Sequence, residues 1–136
     1  MEIGNFTPKG YQSVTPYFHV RDAGKLIDFL AHTFQGEPLH RHSDDNGFLI
    51  HSEVRIGDTI VEVSEAKGEY PARPNTLHVF VKDTDACYRR ALDAGAKSLY
   101  EPADMPYGER SAGVEDPFGN YWYIATFTKG SGSGYY

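Results

Sequence analysis

Histidines and carboxylates at strand-like spacing are the residues of this chain with the chemistry for catalysis or metal binding. His78 shares one face of a predicted strand with Thr76, and Glu62 lies on a predicted strand of the preceding half, expected to be adjacent. A carboxylate beside a histidine can act as a general base, because burial raises a carboxylate pKa and histidine titrates near neutrality. The pair can instead ligate a divalent metal ion with His51 as a third ligand, or hydrogen-bond each other or a bound molecule.

A second polar set lies on the predicted strand at residues 48–56. His51, Glu53 and Arg55 share one face of this strand, because residues two apart in a strand point the same way. That face is either exposed to solvent or enters a pocket at its His51 end. Both interpretations are compatible with the pattern.

Aromatic residues are the compositional oddity, with ten Tyr, eight Phe and one Trp. Such rings can stack on a flat ligand, although ordinary core packing uses the same residues. Tyr121 and Tyr123 alternate with Trp122, so we expect the two tyrosines on one side of the last strand and Trp122 on the other. The further candidates for ligand contact are Tyr17 and His19 on the first strand, Phe80, and Tyr107 and Arg110 at a predicted overhanging loop (102–108). Arg110 can meet an anionic group there or form a surface salt bridge.

Length and charge restrict the class of protein. The 136 residues and 40% hydrophobic content are enough for one domain with a real core. A net charge of −6 argues against nucleic acids and anionic membranes as partners. The one cysteine, Cys87, excludes an internal disulfide, and neither a membrane-spanning apolar run nor a leader pattern is present. We therefore expect a soluble, cytoplasmic protein.

The chain repeats one order of predicted elements. The first half reads as a strand (14–20), a helix that Asp22 caps and Gly36 ends, and three strands (39–42, 48–56, 59–64). The second half repeats this order with a strand (76–81), a helix that Asp83 caps and Gly95 ends, and three strands (98–101, 109–115, 121–127). We expect an N-terminal arm (1–12), a first module (13–65), a linker (66–75), a second module (76–128) and a flexible tail (129–136) within a single domain.

Several short motifs carry a resemblance to a known family. They are Val-Thr-Pro-Tyr-Phe at 14–18, Ile-Asp-Phe at 27–29 and Asp-Pro-Phe-Gly-Asn at 116–120. Together with the duplicated β-α-β-β-β order, they resemble the glyoxalase/bleomycin-resistance/extradiol-dioxygenase superfamily, also called vicinal oxygen chelate. The segments at 51–58 and 102–110 are most similar to its PhnB-like branch. The likeness covers roughly residues 13–128.

The resemblance implies an α+β fold in which two βαβββ modules form a shared, partly open β-sheet cavity with the helices outside. It also implies a homodimer. In metal-dependent relatives, the first strand and the last strand of each module contribute one ligand each. The resemblance places these four positions at Thr15, Glu62, Thr76 and Tyr123. Of these residues only Glu62 is a good ligand, so the usual metal site is expected to be lost.

Three functions therefore remain open. The first is metal-independent binding of a small aromatic or polar organic ligand without a cofactor, in the cavity between the modules. The ligand-binding residues predicted for it are Tyr17, His19, His51, Glu62, His78, Phe80, Tyr107, Arg110, Tyr121 and Tyr123. The second is a lyase, isomerase or dioxygenase that uses one divalent metal ion held by Glu62 and His78 with a third ligand such as His51. Metal-free acid–base catalysis by His78 with Glu62 is a further alternative.

Overall fold

Alternating apolar and polar residues build the first sheet. In the computed structural model, which describes residues 6–128, the first half forms β1 (Tyr17–Val20), α1 (Ala23–Phe34), β2 (Glu37–Ser43), β3 (Leu49–Ile56) and β4 (Thr59–Glu65). The strand order is β1-β4-β3-β2, with β1 parallel to β4 and the other pairs antiparallel. One face carries buried residues such as Phe18, Val54 and Val63. The opposite face, here called the polar face, carries Tyr17, His19, His51, Glu53, Glu62 and Ser64.

The second half repeats this topology. It comprises β5 (Thr76–Phe80), α2 (Thr84–Asp93), β6 (Lys97–Met105), β7 (Glu109–Glu115) and β8 (Tyr121–Phe127). The strand order is β5-β8-β7-β6, and α2 packs against β6, β7 and β8. The two four-stranded mixed sheets and two helices confirm the predicted α+β class. Among the described residues, neither helix is long and apolar enough to cross a membrane.

The chain divides into two compact units. The first unit contains the residues up to Arg73 except His32–Phe34. The second unit contains His32–Phe34 and the residues from Pro74 onward. Lys67 and Tyr70 of the predicted linker exchange two backbone hydrogen bonds in the first unit. Residues 1–5 of the predicted arm and the predicted tail at 129–136 lie outside the described residues.

The two helices begin with different caps. Asp83 caps α2 as predicted, because its carboxylate accepts a hydrogen bond from the Ala86 backbone N–H at 3.1 Å. Asp22 does not cap α1 with its side chain, so that prediction was wrong. The carboxylate of Glu65 accepts the backbone N–H groups of Asp22 and Ala23 instead, both at 2.9 Å. The carboxylate of a strand residue in the same unit therefore accepts the hydrogen bonds of the N–H groups at the start of α1.

The prediction of an overhanging loop at 102–108 was also wrong. β6 extends to Met105, and Ala103, Asp104 and Met105 pair with β7. Proline is tolerated here because β6 is an edge strand and its register shifts between Tyr100 and Ala103, around Pro102. The segment joining β6 to β7 is therefore a short turn.

Cys87 is expected to be unreactive in the folded chain. Its side chain is fully buried on α2, and its Sγ lies 3.4 Å from the Thr33 carbonyl oxygen. Burial raises the pKa of the thiol to about 11, so very little thiolate exists at neutral pH. Iodoacetamide at neutral pH should leave Cys87 unmodified in the native protein and alkylate it fully in urea, as measured by intact mass. Rapid alkylation of the native protein would contradict this account of the core.

Candidate functional site

A row of polar residues crosses the polar face of the first sheet. The register places Tyr17 opposite Glu62, Glu62 opposite Glu53, and Glu53 opposite His40. Side chains directly opposite each other on neighbouring strands are in contact range, and like charges in such pairs are destabilising. The two adjacent glutamates therefore need neighbours that offset their repulsion.

His51 and Tyr11 are those neighbours. His51 Nε2 lies 2.7 Å from Glu62 Oε1 and 3.9 Å from Glu53 Oε2. The Tyr11 hydroxyl donates a hydrogen bond to the other oxygen of Glu53. This bond and the negative charge of Glu53 raise the pKa of Tyr11, because both disfavour the phenolate. The side chains of Glu53, Glu62 and His51 are 13%, 27% and 34% exposed, so the cluster is half-buried.

Glu62 and His78, the predicted carboxylate and histidine pair, have other partners in the structure. β4 is hydrogen-bonded to β1 and β3, whereas β5 is hydrogen-bonded to β8 in the other sheet, so the strands of Glu62 and His78 do not pair with each other. Glu62 has His51 as its histidine partner. His78 has Glu109, with 3.4 Å between Nε2 and Oε2. The Glu109 side chain is only 3% exposed.

The equivalent row of the second sheet is aromatic. His78 pairs with Tyr123, Tyr123 with Gly113, and Gly113 with Tyr100. The Tyr100 ring occupies the space that a side chain at 113 would need, and its hydroxyl lies 2.7 Å from Ser111 Oγ. Where the first sheet carries two carboxylates, the second therefore carries a tyrosine and a glycine.

A column of three rings stands beside the carboxylate row in the first unit. The Tyr17 and His19 ring centroids are 4.6 Å apart at 12°, and those of His19 and Tyr70 are 5.7 Å apart at 15°. The Tyr17 hydroxyl lies 2.6 Å from Ser64 Oγ, which donates to the Ile50 carbonyl. Within residues 6–128, the buried Nδ1 of His19 has no hydrogen-bond partner.

The ring column lines a cavity of about 520 Å³. Its wall combines aromatic and aliphatic side chains with a serine and three charged side chains. The lining residues are Tyr17, His19, Phe48, Ile50, Ser64, Glu65, Lys67, Glu69 and Tyr70. All of them belong to the first unit.

The remaining predicted ligand-binding residues lie in the second unit. Tyr121 and Tyr123 share a face with His78, while Trp122 points the other way and is buried. Phe80 and Tyr107 are exposed. The structure places Arg110 in an ion pair, because its guanidinium donates to both oxygens of Asp85 at 2.6 and 2.9 Å. That guanidinium lowers the pKa of the Asp85 carboxyl.

Sequence reasoning missed the contribution of Glu53, although a signal for it was present. The two-residue Gly57-Asp58 turn pairs Ile56 with Thr59, and extending that hairpin places Glu53 opposite Glu62. Ser64 could have been found by its two-residue spacing from Glu62. Tyr11 and Tyr70 lie in irregular segments, where no periodicity indicates their direction.

Comparison with known proteins decides the family. Residues 14–124 match the model of the Glyoxalase/Bleomycin resistance protein/Dioxygenase superfamily. The chain belongs to this superfamily. Two mycobacterial relatives are each 34% identical: uncharacterized protein Mb0911c of Mycobacterium bovis and uncharacterized protein Rv0887c of Mycobacterium tuberculosis H37Rv. The matches cover 82% of this chain and, respectively, 81% and 72% of those proteins.

Solved structures show the same superfamily fold. TioX from Micromonospora sp. ML1 has a TM-score of 0.69 at 24% identity, over 85% of this chain and 99% of that one. A glyoxalase-related enzyme from Fulvimarina pelagi has a TM-score of 0.68 at 17% identity, over 85% and 87%. A PhnB protein from Bacillus cereus has a TM-score of 0.65 at 14% identity, over 85% of this chain and 99% of that one. The structural neighbours therefore include a PhnB-like protein.

Two of the positions at which the resemblance implies metal ligands hold tyrosines. Glu62 lies opposite Tyr17, and Tyr123 lies opposite His78. The first-strand residues beside the last-strand positions are therefore Tyr17 and His78, not Thr15 and Thr76. The first unit therefore offers Tyr17 and Glu62 at these positions, and the second unit offers His78 and Tyr123. Neutral phenols are poor ligands for divalent metals, so one of the two donors in each unit fits a metal ion poorly.

Proposed function

We propose that this superfamily member binds a small planar organic molecule in the first-unit cavity beside Tyr17, His19 and Tyr70. The observation that carries the proposal is the ring column along the wall of a 520 Å³ cavity. Small-molecule sites of proteins typically have about 300–1,000 Å³ and a mostly apolar lining with few polar groups. The cavity matches this description in size, and five of its nine lining residues carry a ring or an aliphatic side chain.

The polar groups of the cavity favour a ligand with at least one hydrogen-bonding atom. The buried Nδ1 of His19 has no partner among the described residues, and buried polar atoms are normally hydrogen-bonded. Tyr17 and Ser64 add a hydroxyl pair. Lys67, whose Nζ lies 5.4 Å from the Phe48 ring centroid, contributes a cation to the lining.

A second hollow of the first unit is a poorer candidate. It measures about 650 Å³ near the start of α1, and five of its ten lining residues are charged: Asp22, Lys25, Asp28, Arg41 and Glu65. Phe48 is its one aromatic residue. Charged walls of this kind retain their water and offer little area for stacking.

Binding in the aromatic cavity is proposed to need no metal or other cofactor, because ring stacking and hydrogen bonds suffice to hold such a ligand. We further propose a cytoplasmic homodimer that binds neither nucleic acid nor membrane. The single cysteine and the net charge of −6 support this setting. Light scattering after size-exclusion chromatography tests the dimer, and a monomeric mass would contradict it.

Tyr70→Ala is expected to weaken binding about fivefold, since one aromatic contact contributes about 1 kcal/mol. Acridine, flavone and lumichrome are suitable planar probes, with saturation-transfer NMR for detection and calorimetry for affinity. A chelator in every sample tests metal independence. Tyr70 is exposed, so the variant should keep the fold.

Tyr88→Ala is the matched control, because Tyr88 lies on α2 and does not line the cavity. Its affinity for the probes should equal that of the wild type. Absence of binding by all three probes, or equal affinity of the Tyr70→Ala and wild-type proteins, would refute the proposed site.

Metal-dependent catalysis as a lyase, isomerase or dioxygenase is the second candidate. One observation favours it, namely the 2.7 Å separation of His51 Nε2 and Glu62 Oε1, two of the three predicted ligands. The third predicted ligand, His78, is paired with Glu109 in the second unit. This candidate requires a cation site built around His51 and Glu62.

A further inference from the structure

We propose that His51, Glu53 and Glu62 form a divalent-cation site contained within the first unit, suited to Zn²⁺ or Mn²⁺. The ligand atoms that they offer, one imidazole nitrogen and one oxygen from each carboxylate, all lie within 4.8 Å of one another. Two of the three ligands come from β3. The site therefore differs from the first-strand and last-strand set that the superfamily resemblance implies, and it does not depend on ligand binding in the aromatic cavity.

The backbone already holds the three ligands in place. Glu53 is directly opposite Glu62, and His51 is two residues from Glu53 on the same face. Ligand atoms about 2.0–2.2 Å from one tetrahedral cation lie roughly 3.3–3.6 Å from each other. The observed separations of His51 Nε2 from the two carboxylates, 2.7 and 3.9 Å, bracket that range. Small side-chain rotations are therefore enough to coordinate a cation.

Electrostatics also favours a cation at this position. Two adjacent half-buried carboxylates repel each other, and His51 donates one proton to only one of them at hydrogen-bond distance. Arg55, on the same strand face, has its guanidinium 3.2 Å from Glu37 instead. A dication would neutralise both glutamates. Tyr11 would stay on the second oxygen of Glu53 and orient that ligand.

The surroundings point to an open coordination position. The Tyr17 ring, which lines the aromatic cavity, has its centroid 6.2 Å from that of His51. Three protein ligands beside a cavity leave room for water or a ligand atom, as in catalytic rather than structural zinc sites. A mixed imidazole and carboxylate set suits Zn²⁺ and Mn²⁺ better than Mg²⁺ or Ca²⁺, which prefer oxygen ligands alone.

Calorimetric titration of the chelator-treated full chain with Zn²⁺ tests the proposal. One Zn²⁺ should bind per chain. Glu53→Gln and Glu62→Gln, which keep the side-chain shape, and His51→Ala should each lower the affinity at least tenfold. His78→Ala is the matched control, because His78 also pairs with a glutamate and belongs to the alternative ligand set. It should bind Zn²⁺ like the wild type, and circular dichroism should show that every variant is folded.

Mn²⁺ provides a second readout, because its electron paramagnetic resonance signal is lost on binding. The Mn²⁺ signal should be lost with the wild type and retained with Glu62→Gln. Absence of Zn²⁺ binding, unchanged affinity in both Glu→Gln variants, or a loss caused by His78→Ala would each overturn the site. Tyr70→Ala should leave Zn²⁺ affinity unchanged, so failure of the aromatic cavity and failure of the cation site are distinguishable.

Discussion

Asp116→Ala is expected to lower the free energy of unfolding by roughly 3 kcal/mol or more, because it leaves several buried donors without a partner. One oxygen of Asp116 accepts the backbone N–H groups of Phe118 and Asn120, and the other accepts the Asn120 amide and the Trp122 indole N–H, all at 2.9 Å. The Asp116 residue is only 3% exposed. Asn120 in turn accepts the Asn75 backbone N–H at 2.8 Å, so the loss reaches the start of β5.

Asp44→Ala is the matched control for this prediction. Asp44 also accepts the backbone N–H groups two and four residues later, from Asn46 and Phe48 at 2.9 Å, but its turn is exposed. Water can replace those bonds, so we expect a loss of about 1 kcal/mol. Urea unfolding measures both variants. Equal losses would show that the buried network around Asp116 does not stabilise the second unit as described.

Gly113→Ala is expected to destabilise the protein by about 1–3 kcal/mol through overpacking. A Cβ at position 113 would lie 2.8 Å from Tyr100 Cδ1 and closer still to Cε1, inside van der Waals contact. The Tyr100 ring would have to leave its place, breaking the hydrogen bond between its hydroxyl and Ser111. The melting temperature and urea midpoint should both fall.

A double-mutant cycle identifies the cause of that loss. In a Tyr100→Ala background the space over residue 113 is empty, so Gly113→Ala should cost much less than in the wild type. An equal cost in both backgrounds would assign the effect to the backbone of β7. The cycle would then contradict the account of Tyr100 as the group that fills this position.

The repeated fold could be predicted because its determinants are local. Strand alternation, the Asp83 cap and the turn residues lie in the segments that they organise. The cap of α1 could not be predicted in this way, because Glu65 reaches it from 42 residues further along the chain. The extension of β6 past Pro102 depends on a bulge and on pairing with β7, and neither is encoded in the segment alone.

The candidate site shows the same limit. Hairpin register makes the Glu53–Glu62 pair predictable from the Gly57-Asp58 turn, since two-residue turns fix the pairing. The parallel pairing of β1 with β4 brings Tyr17 beside Glu62, and it depends on packing between distant segments. Tyr70 reaches His19 from an irregular segment. Ring contacts of that kind have no periodic signal in the sequence.

Chemical-shift mapping tests the central claim most directly. Backbone ¹⁵N spectra would be recorded during titration with whichever of acridine, flavone and lumichrome binds most tightly. We expect the perturbed residues to cluster at the cavity wall, in the ranges 17–19, 48–50 and 64–70. A perturbation centred on His78, Tyr121 and Tyr123 of the second unit, with the first-unit cavity unaffected, would contradict the account.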